Sequence, residues 1–173
     1  MLDMATIESV PAHPDCIHSR KAGVRLDRII VHTIEGSFSG CLSWFRQGKA
    51  KRPVPTAAHY VISRTGQVVR MVPDDKKCYH ANSYNSRSIG IEHEARTAPW
   101  AARPGKAPPF PTSDFPDAML DASARVVAAL CKKYGIPADR QHIIGHNEVP
   151  DATHSDPGAF PWEAYMQRVA EHL

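Results

Sequence analysis

Four residues able to do metal and proton chemistry stand at the ends of apolar runs or in a turn. Arg28-Ile29-Ile30-Val31 closes on His32, and Ile143-Ile144-Gly145 closes on His146. Ser88-Ile89-Gly90-Ile91 closes on Glu92, and Asp156 sits in the turn Ser155-Asp156-Pro157-Gly158. A polar side chain at the end of a buried strand is held rigidly and still opens onto a loop. Two neutral imidazoles and one carboxylate, His32, His146 and Asp156, make a donor set that suits a hydrolytic zinc centre with one position left for water. Such an ion brings the pKa of bound water to near ~7 and polarises a carbonyl. Glu92 is placed to take a proton and pass it to a leaving amine. His154, two residues before Asp156, is placed to donate a hydrogen bond to a developing oxyanion. The spacing between these residues is irregular, so residue type and position alone reach a metal hydrolase and stop short of its substrate.

The elements that must carry these groups follow from apolar periodicity. The β-branched run 28–32 is a poor helix and a good buried strand. Residues 58–63 and 67–72 flank Arg64-Thr65-Gly66 as a hairpin. Residues 88–93 and 142–146 read as two more strands. Ser39 is expected to cap a short helix through Gln47, with Trp44 on its buried face or in a substrate groove. A long helix starts between Asp114 and Asp117. Its stripe is Leu120, Ala124, Val127, Cys131 and Tyr134, and Gly135 with Pro137 ends it. Pro161 opens a last helix whose inward face is Trp162, Tyr165, Val169 and Leu173. The Pro-rich stretch 99–116 reads as a long surface loop. Strands interleaved with helices predict an α/β fold: a single three-layer domain with a central mixed sheet of about five to six strands flanked by helices. Residues 1–27 read as an irregular arm packed on a catalytic domain of residues 28–173.

The 173 residues are 42% hydrophobic and 23% charged, with a formal net charge of +3, which suits one globular domain with a real core. No dense Lys/Arg stripe supports a nucleic-acid partner. No stretch approaches the ~18–20 apolar residues of a membrane span, and residues 1–14 lack the pattern of a signal peptide. A monomer is expected. Cys16, Cys41, Cys78 and Cys131 form no C-x-x-C pair, which argues against a zinc ribbon, and leave disulfides open.

Six ordered blocks carry a resemblance. They are I-V-H-T at 30–33, A-H-Y-V-I-S-R-T-G at 58–66, Y-H-A at 79–81, N-S-R-S-I-G-I-E at 85–92, I-I-G-H at 143–146 and T-H-S-D-P-G at 153–158. In this order they resemble the zinc-dependent N-acetylmuramoyl-L-alanine amidases, a family that includes phage endolysins, bacterial anhydromuropeptide amidases and peptidoglycan recognition proteins. The resemblance implies Zn2+ on His32, His146 and Asp156, with Glu92 as general acid/base. It implies cleavage of the amide joining N-acetylmuramic acid to L-alanine of the stem peptide. Peptidoglycan is the implied partner, and a lytic, endolysin-like role is the expectation. His59 and His80 match family histidines near the groove and are read as substrate contacts or supports for the metal ligands, with a core histidine as the alternative; Asn85 and Trp44 are further expected substrate contacts. Two features depart from the pattern. Many members carry lysine where this chain has His154, and some carry tyrosine where it has Ala58. The alternative the family allows is a recognition module that binds peptidoglycan without cutting it. Such members typically lack a zinc ligand, whereas this chain has all three.

Overall fold

The computed structural model describes residues 2–97 and 114–173. The sheet begins earlier than the apolar runs suggest. Two short strands, β1 (Glu8–Ser9) and β2 (His18–Ser19), precede the first long one, β3 (Arg28–Thr33). Helix α1 (Phe38–Phe45) follows, then the hairpin β4 (Tyr60–Ile62) and β5 (Val68–Arg70), and the short β6 (Lys76–Lys77). Strand β7 (Ser88–His93), helix α2 (Asp117–Tyr134), strand β8 (Ile143–Gly145) and helix α3 (Trp162–Glu171) complete the chain.

Six strands form one mixed sheet in the order β1-β5-β4-β7-β3-β8, and β2 pairs with β6 in a separate ribbon. Within the six-stranded sheet only the β4–β5 pair is antiparallel among the described residues. The centre of the sheet is therefore built from parallel strands buried on both faces, which is why β3 and β7 read as near-continuous apolar runs. The period-2 alternation sorts their side chains. Ile29, Val31, Tyr60, Ile62, Ile89 and Ile91 pack with α2 and α3. Val61 and Val69 pack on the opposite side with Cys41 and Phe45 of α1. These are the three layers the sequence predicts. The stripe of α2 is buried from Leu120 through Cys131, and Gly135 closes the helix at φ +63, where a residue with a Cβ would be strained.

Several boundaries differ from the sequence reading. The cap of α1 is Ser37, not Ser39; its hydroxyl accepts from the Gly40 N–H at 3.1 Å. Residues 1–27 are more than an arm, because β1 adds a parallel edge strand beside β5. That strand is two exposed residues long, too short to show a period. Leu173 lies past the end of α3 and is exposed, so the inward face of that helix ends at Val169. The four cysteines are free and buried. The Pro-rich loop expected over 99–116 lies, but for its last three residues, outside the described residues.

Candidate active site

The parallel pairing of β3 with β7 sets His32 directly opposite Glu92. Strand β8, on the other side of β3, ends at Gly145 and delivers His146 at the same edge. The turn after residue 152 brings Asp156 up to both histidines. Its carboxylate lies 2.9 Å from His32 Nδ1 and 3.0 Å from His146 Nδ1. The possible metal-ligating atoms of His32, His146 and Asp156 all fall within 4.8 Å of one another. Burial alone would raise the Asp156 carboxyl, but its close contacts with the His146 and His32 rings outweigh that and hold it below the usual carboxylate range.

The proton positions around His32 follow from its partners. Ser88 Oγ donates to the Tyr84 carbonyl at 2.7 Å, so it accepts from His80 Nε2 at 3.2 Å. His80 Nδ1 is then an acceptor, and His32 Nε2 donates to it at 3.0 Å. Burial depresses His32, opposed by its contact with Asp156, and the net direction favours the neutral ring. A neutral His32 with its proton on Nε2 presents a bare Nδ1 lone pair to a carboxylate 2.9 Å away. Two electron-rich atoms at that distance call for a cation between them. His146 Nε2 and Glu92 Oε2 are also buried with no hydrogen-bond partner among the described residues. The donor set fits a divalent metal on these grounds.

Gly90 explains why His80 can lie flat against the strand. A Cβ at Gly90 would stand 2.5 Å from His80 Nδ1, so any side chain there would push the ring off His32. Asn85 fixes the same loop from the other end, its side-chain oxygen accepting from the N–H groups of His80 and Ala81, both at 2.7 Å.

Glu92 is raised well above the ordinary glutamate range, first by burial and then by the negative charges of Asp156 and Glu35. His154 is exposed, and its ring stacks on that of His146 with centroids 5.3 Å apart. All these groups open on one cleft of about 1010 Å3, whose lining also includes Phe45, Val54, Tyr79, Asn82 and residues 152–156.

His32, His80, Asn85, Glu92, His146, His154 and Asp156 are thus brought together, whereas His59 and Trp44 stand apart from the cleft wall. His59 is fully buried, accepting the Gly90 N–H at 3.0 Å and donating to the Lys76 carbonyl at 3.1 Å. With His80 and Cys78 it forms a second cluster of potential ligands. Its Nδ1 lone pair is already used, and the Arg20 guanidinium lies 3.0 Å from its Nε2, which disfavours a cation. Trp44 projects from the outer face of α1, with the Arg52 guanidinium 4.8 Å from its ring. Glu35 is a cleft residue that sequence reasoning missed. It holds φ +57 and accepts from the Thr97 N–H and the Thr33 hydroxyl. The available signal was an acid two residues past β3 and before a glycine, which reads as an ordinary turn.

Comparison with known proteins points the same way. A family profile described as N-acetylmuramoyl-L-alanine amidase matches residues 22–159. N-acetylmuramoyl-L-alanine amidase A of Achromobacter lyticus is 31% identical over 163 residues, covering 82% of this chain and 81% of that protein. The 1,6-anhydro-N-acetylmuramyl-L-alanine amidase AmpD of Citrobacter freundii is 32% identical over 122 residues, covering 65% of this chain and 57% of that protein. The crystal structure of an AmpD derivative superposes with a TM-score of 0.75 at 26% identity, over 98% of this chain and 99% of that one.

Proposed function

The chain belongs to the N-acetylmuramoyl-L-alanine amidase family, and on that premise we propose how its own residues divide the reaction. It is a peptidoglycan hydrolase that cleaves the amide between N-acetylmuramic acid and L-alanine of the stem peptide. In our reading His32, His146 and Asp156 hold a zinc ion. The chemistry such an ion supplies is a water made nucleophilic near neutral pH and a polarised scissile carbonyl. Glu92 accepts the proton released by the attacking water and returns it to the leaving amine of L-alanine. Its raised pKa suits both halves of that transfer, because the protonated form is held long enough to be passed on. His154 donates a hydrogen bond to the oxygen that gains charge, in the place where many relatives use a lysine. His80 keeps the His32 proton on Nε2, so that Nδ1 is left free to bind metal.

The observation that carries this reading is the bare His32 Nδ1 facing Asp156, fixed by the chain of hydrogen bonds through His80 and Ser88. The test is metal content. Purified wild-type protein should hold about one zinc per chain, and His146→Ala should lose most of the zinc and most of the activity. Near-wild-type zinc and turnover in that variant would show that the ligands are assigned wrongly.

The lytic, endolysin-like role belongs to the same proposal. Its support is the cleft, whose volume of about 1010 Å3 lies just above the ~300–1,000 Å3 usual for small-ligand pockets and suits a polymer. No helix among the described residues is long and apolar enough to cross a membrane.

A further inference from the structure

Between Glu35 and Asp74 the chain has no acidic residue, yet Arg46, Lys49, Lys51 and Arg52 crowd into one short stretch. The loop that carries them is rigidly built. Arg52 is buried and donates to the carbonyls of Gln47 at 2.8 Å and Thr56 at 3.1 Å, closing the loop on itself. Gly48 packs so tightly on His13 that a Cβ there would lie 2.3 Å from the ring. The Lys49 N–H is anchored on the Asp15 carboxylate at 2.8 Å.

With Arg52 turned inward, Arg46, Lys49 and Lys51 are exposed, and none of the three is in an ion pair among the described residues. Asp15, the nearby acid, is already engaged by the Lys49 N–H and by His13 at 3.5 Å. Beside the cations stand two exposed apolar side chains, Trp44 at 51% and Val54 at 68%. Arg52 braces one face of the Trp44 ring.

The lobe runs into the cleft, because Val54 also forms part of the cleft wall. Lys77 joins from the same side, 5.7 Å from the ring of Tyr79, another wall residue. His18 is pushed below the ordinary histidine range by burial and by the charges of Lys77 and Lys49, which places both lysines around one point. A fixed cationic surface with an aromatic platform fits a polyanion that has apolar sugar faces. Peptidoglycan strands are of that kind, since their stem peptides carry free carboxylates. Two isolated apolar side chains offer far less area than the amphipathic face with which a helix enters a lipid surface. Continuity with the cleft favours the substrate's own strand over a membrane.

We propose that the lobe formed by Trp44, Arg46, Lys49, Lys51 and Val54 is a second docking surface for polymeric peptidoglycan, engaging the anionic strand next to the scissile unit. It biases the enzyme towards the insoluble wall over small soluble fragments. This rests on the amidase reading but is measured separately from turnover.

The full chain is co-sedimented on ice with purified sacculi at low and high salt, and kcat/KM is measured in parallel on a soluble disaccharide-peptide. Exposed ion pairs are weak singly and strongly screened, so wild-type binding should fall as salt rises to about 0.5 M. Arg46→Gln/Lys49→Gln/Lys51→Gln should bind sacculi about tenfold more weakly at low salt, lose most of that salt dependence, and keep soluble kcat/KM within about twofold. Trp44→Ala should weaken sacculus binding at both salt levels. The proposal is overturned if the triple variant sediments like wild type, or if its soluble kcat/KM falls in step with binding. Tighter binding of wild type to phosphatidylglycerol vesicles than to sacculi would overturn it in favour of a membrane. An inactive wild type that still binds sacculi in a salt-dependent way would sink the amidase reading and leave this one standing.

Discussion

Glu92 Oε2 has no partner among the described residues, although it lies across the strand pair from His32 and inside the cleft wall. A buried carboxylate oxygen left unpaired is costly, and proteins retain such groups where they are used. Replacing Glu92 with Gln keeps shape and removes the proton-accepting oxygen. Turnover of Glu92→Gln should fall by roughly 10²–10⁴-fold with zinc content unchanged, as judged by parallel kinetics and metal analysis. Full turnover would move proton transfer to another group. His80 gives a second test. His80→Leu removes the acceptor for His32 Nε2 and should weaken zinc binding by about 10–100-fold, whereas His80→Asn returns an oxygen near the lost Nδ1 and should recover part of it. Equal affinity in both variants, read by competition with a chelating dye, would contradict the positioning role. The residues of the donor set were legible because each ends an apolar run or begins a turn. The His80–Ser88–Tyr84 chain was not, since no periodicity marks a side chain that matters only through its neighbour.

Asp74 links elements far apart in sequence. Its buried carboxylate accepts from Tyr60 of β4 and, at 2.9 Å each, from Lys133 and Tyr134 at the end of α2. Burial would raise its pKa, but the hydrogen bonds from Tyr60, Lys133 and Tyr134 win and the net shift is downward. A depressed folded pKa means the folded state releases this proton more readily than the unfolded chain. The stabilisation is therefore complete above the ordinary value of 3.8 and is lost as pH falls through the lowered folded value. Asp74→Asn should cost about 1–3 kcal/mol at neutral pH, and the gap to wild type should narrow below about pH 4. Urea unfolding at the two pH values checks this, and a gap independent of pH would contradict it. At this scale the sequence was a good guide wherever apolar runs were long. β7 spans Ser88–His93 as expected, and α2 ends at Gly135 as expected. It misled where packing chose between near-equivalent residues, as at Ser37 against Ser39, and where a strand was too short to show a period, as in β1.

Across the whole molecule, the mixed sheet gathers the candidate site residues at one edge because its central strands run parallel. Their C-terminal ends therefore converge, bringing His32, Glu92 and the approach to His146 to one cleft. Charge adds a second layer of organisation. A net charge of +3 reads as unremarkable when spread over 173 residues. The fold leaves Arg46, Lys49 and Lys51 exposed together beside that cleft, which composition could not reveal. The central claim is that this chain hydrolyses the muramyl–L-alanine amide with a metal held by His32, His146 and Asp156. Mass spectrometry of the products from a defined disaccharide-peptide, before and after chelation and after zinc is restored, tests it most directly. The expected products are an intact sugar bearing its lactyl acid and a peptide with a free L-alanine amine, absent after chelation and regained with zinc. A cut at any other bond, or the same products in undiminished yield after chelation, would contradict the account.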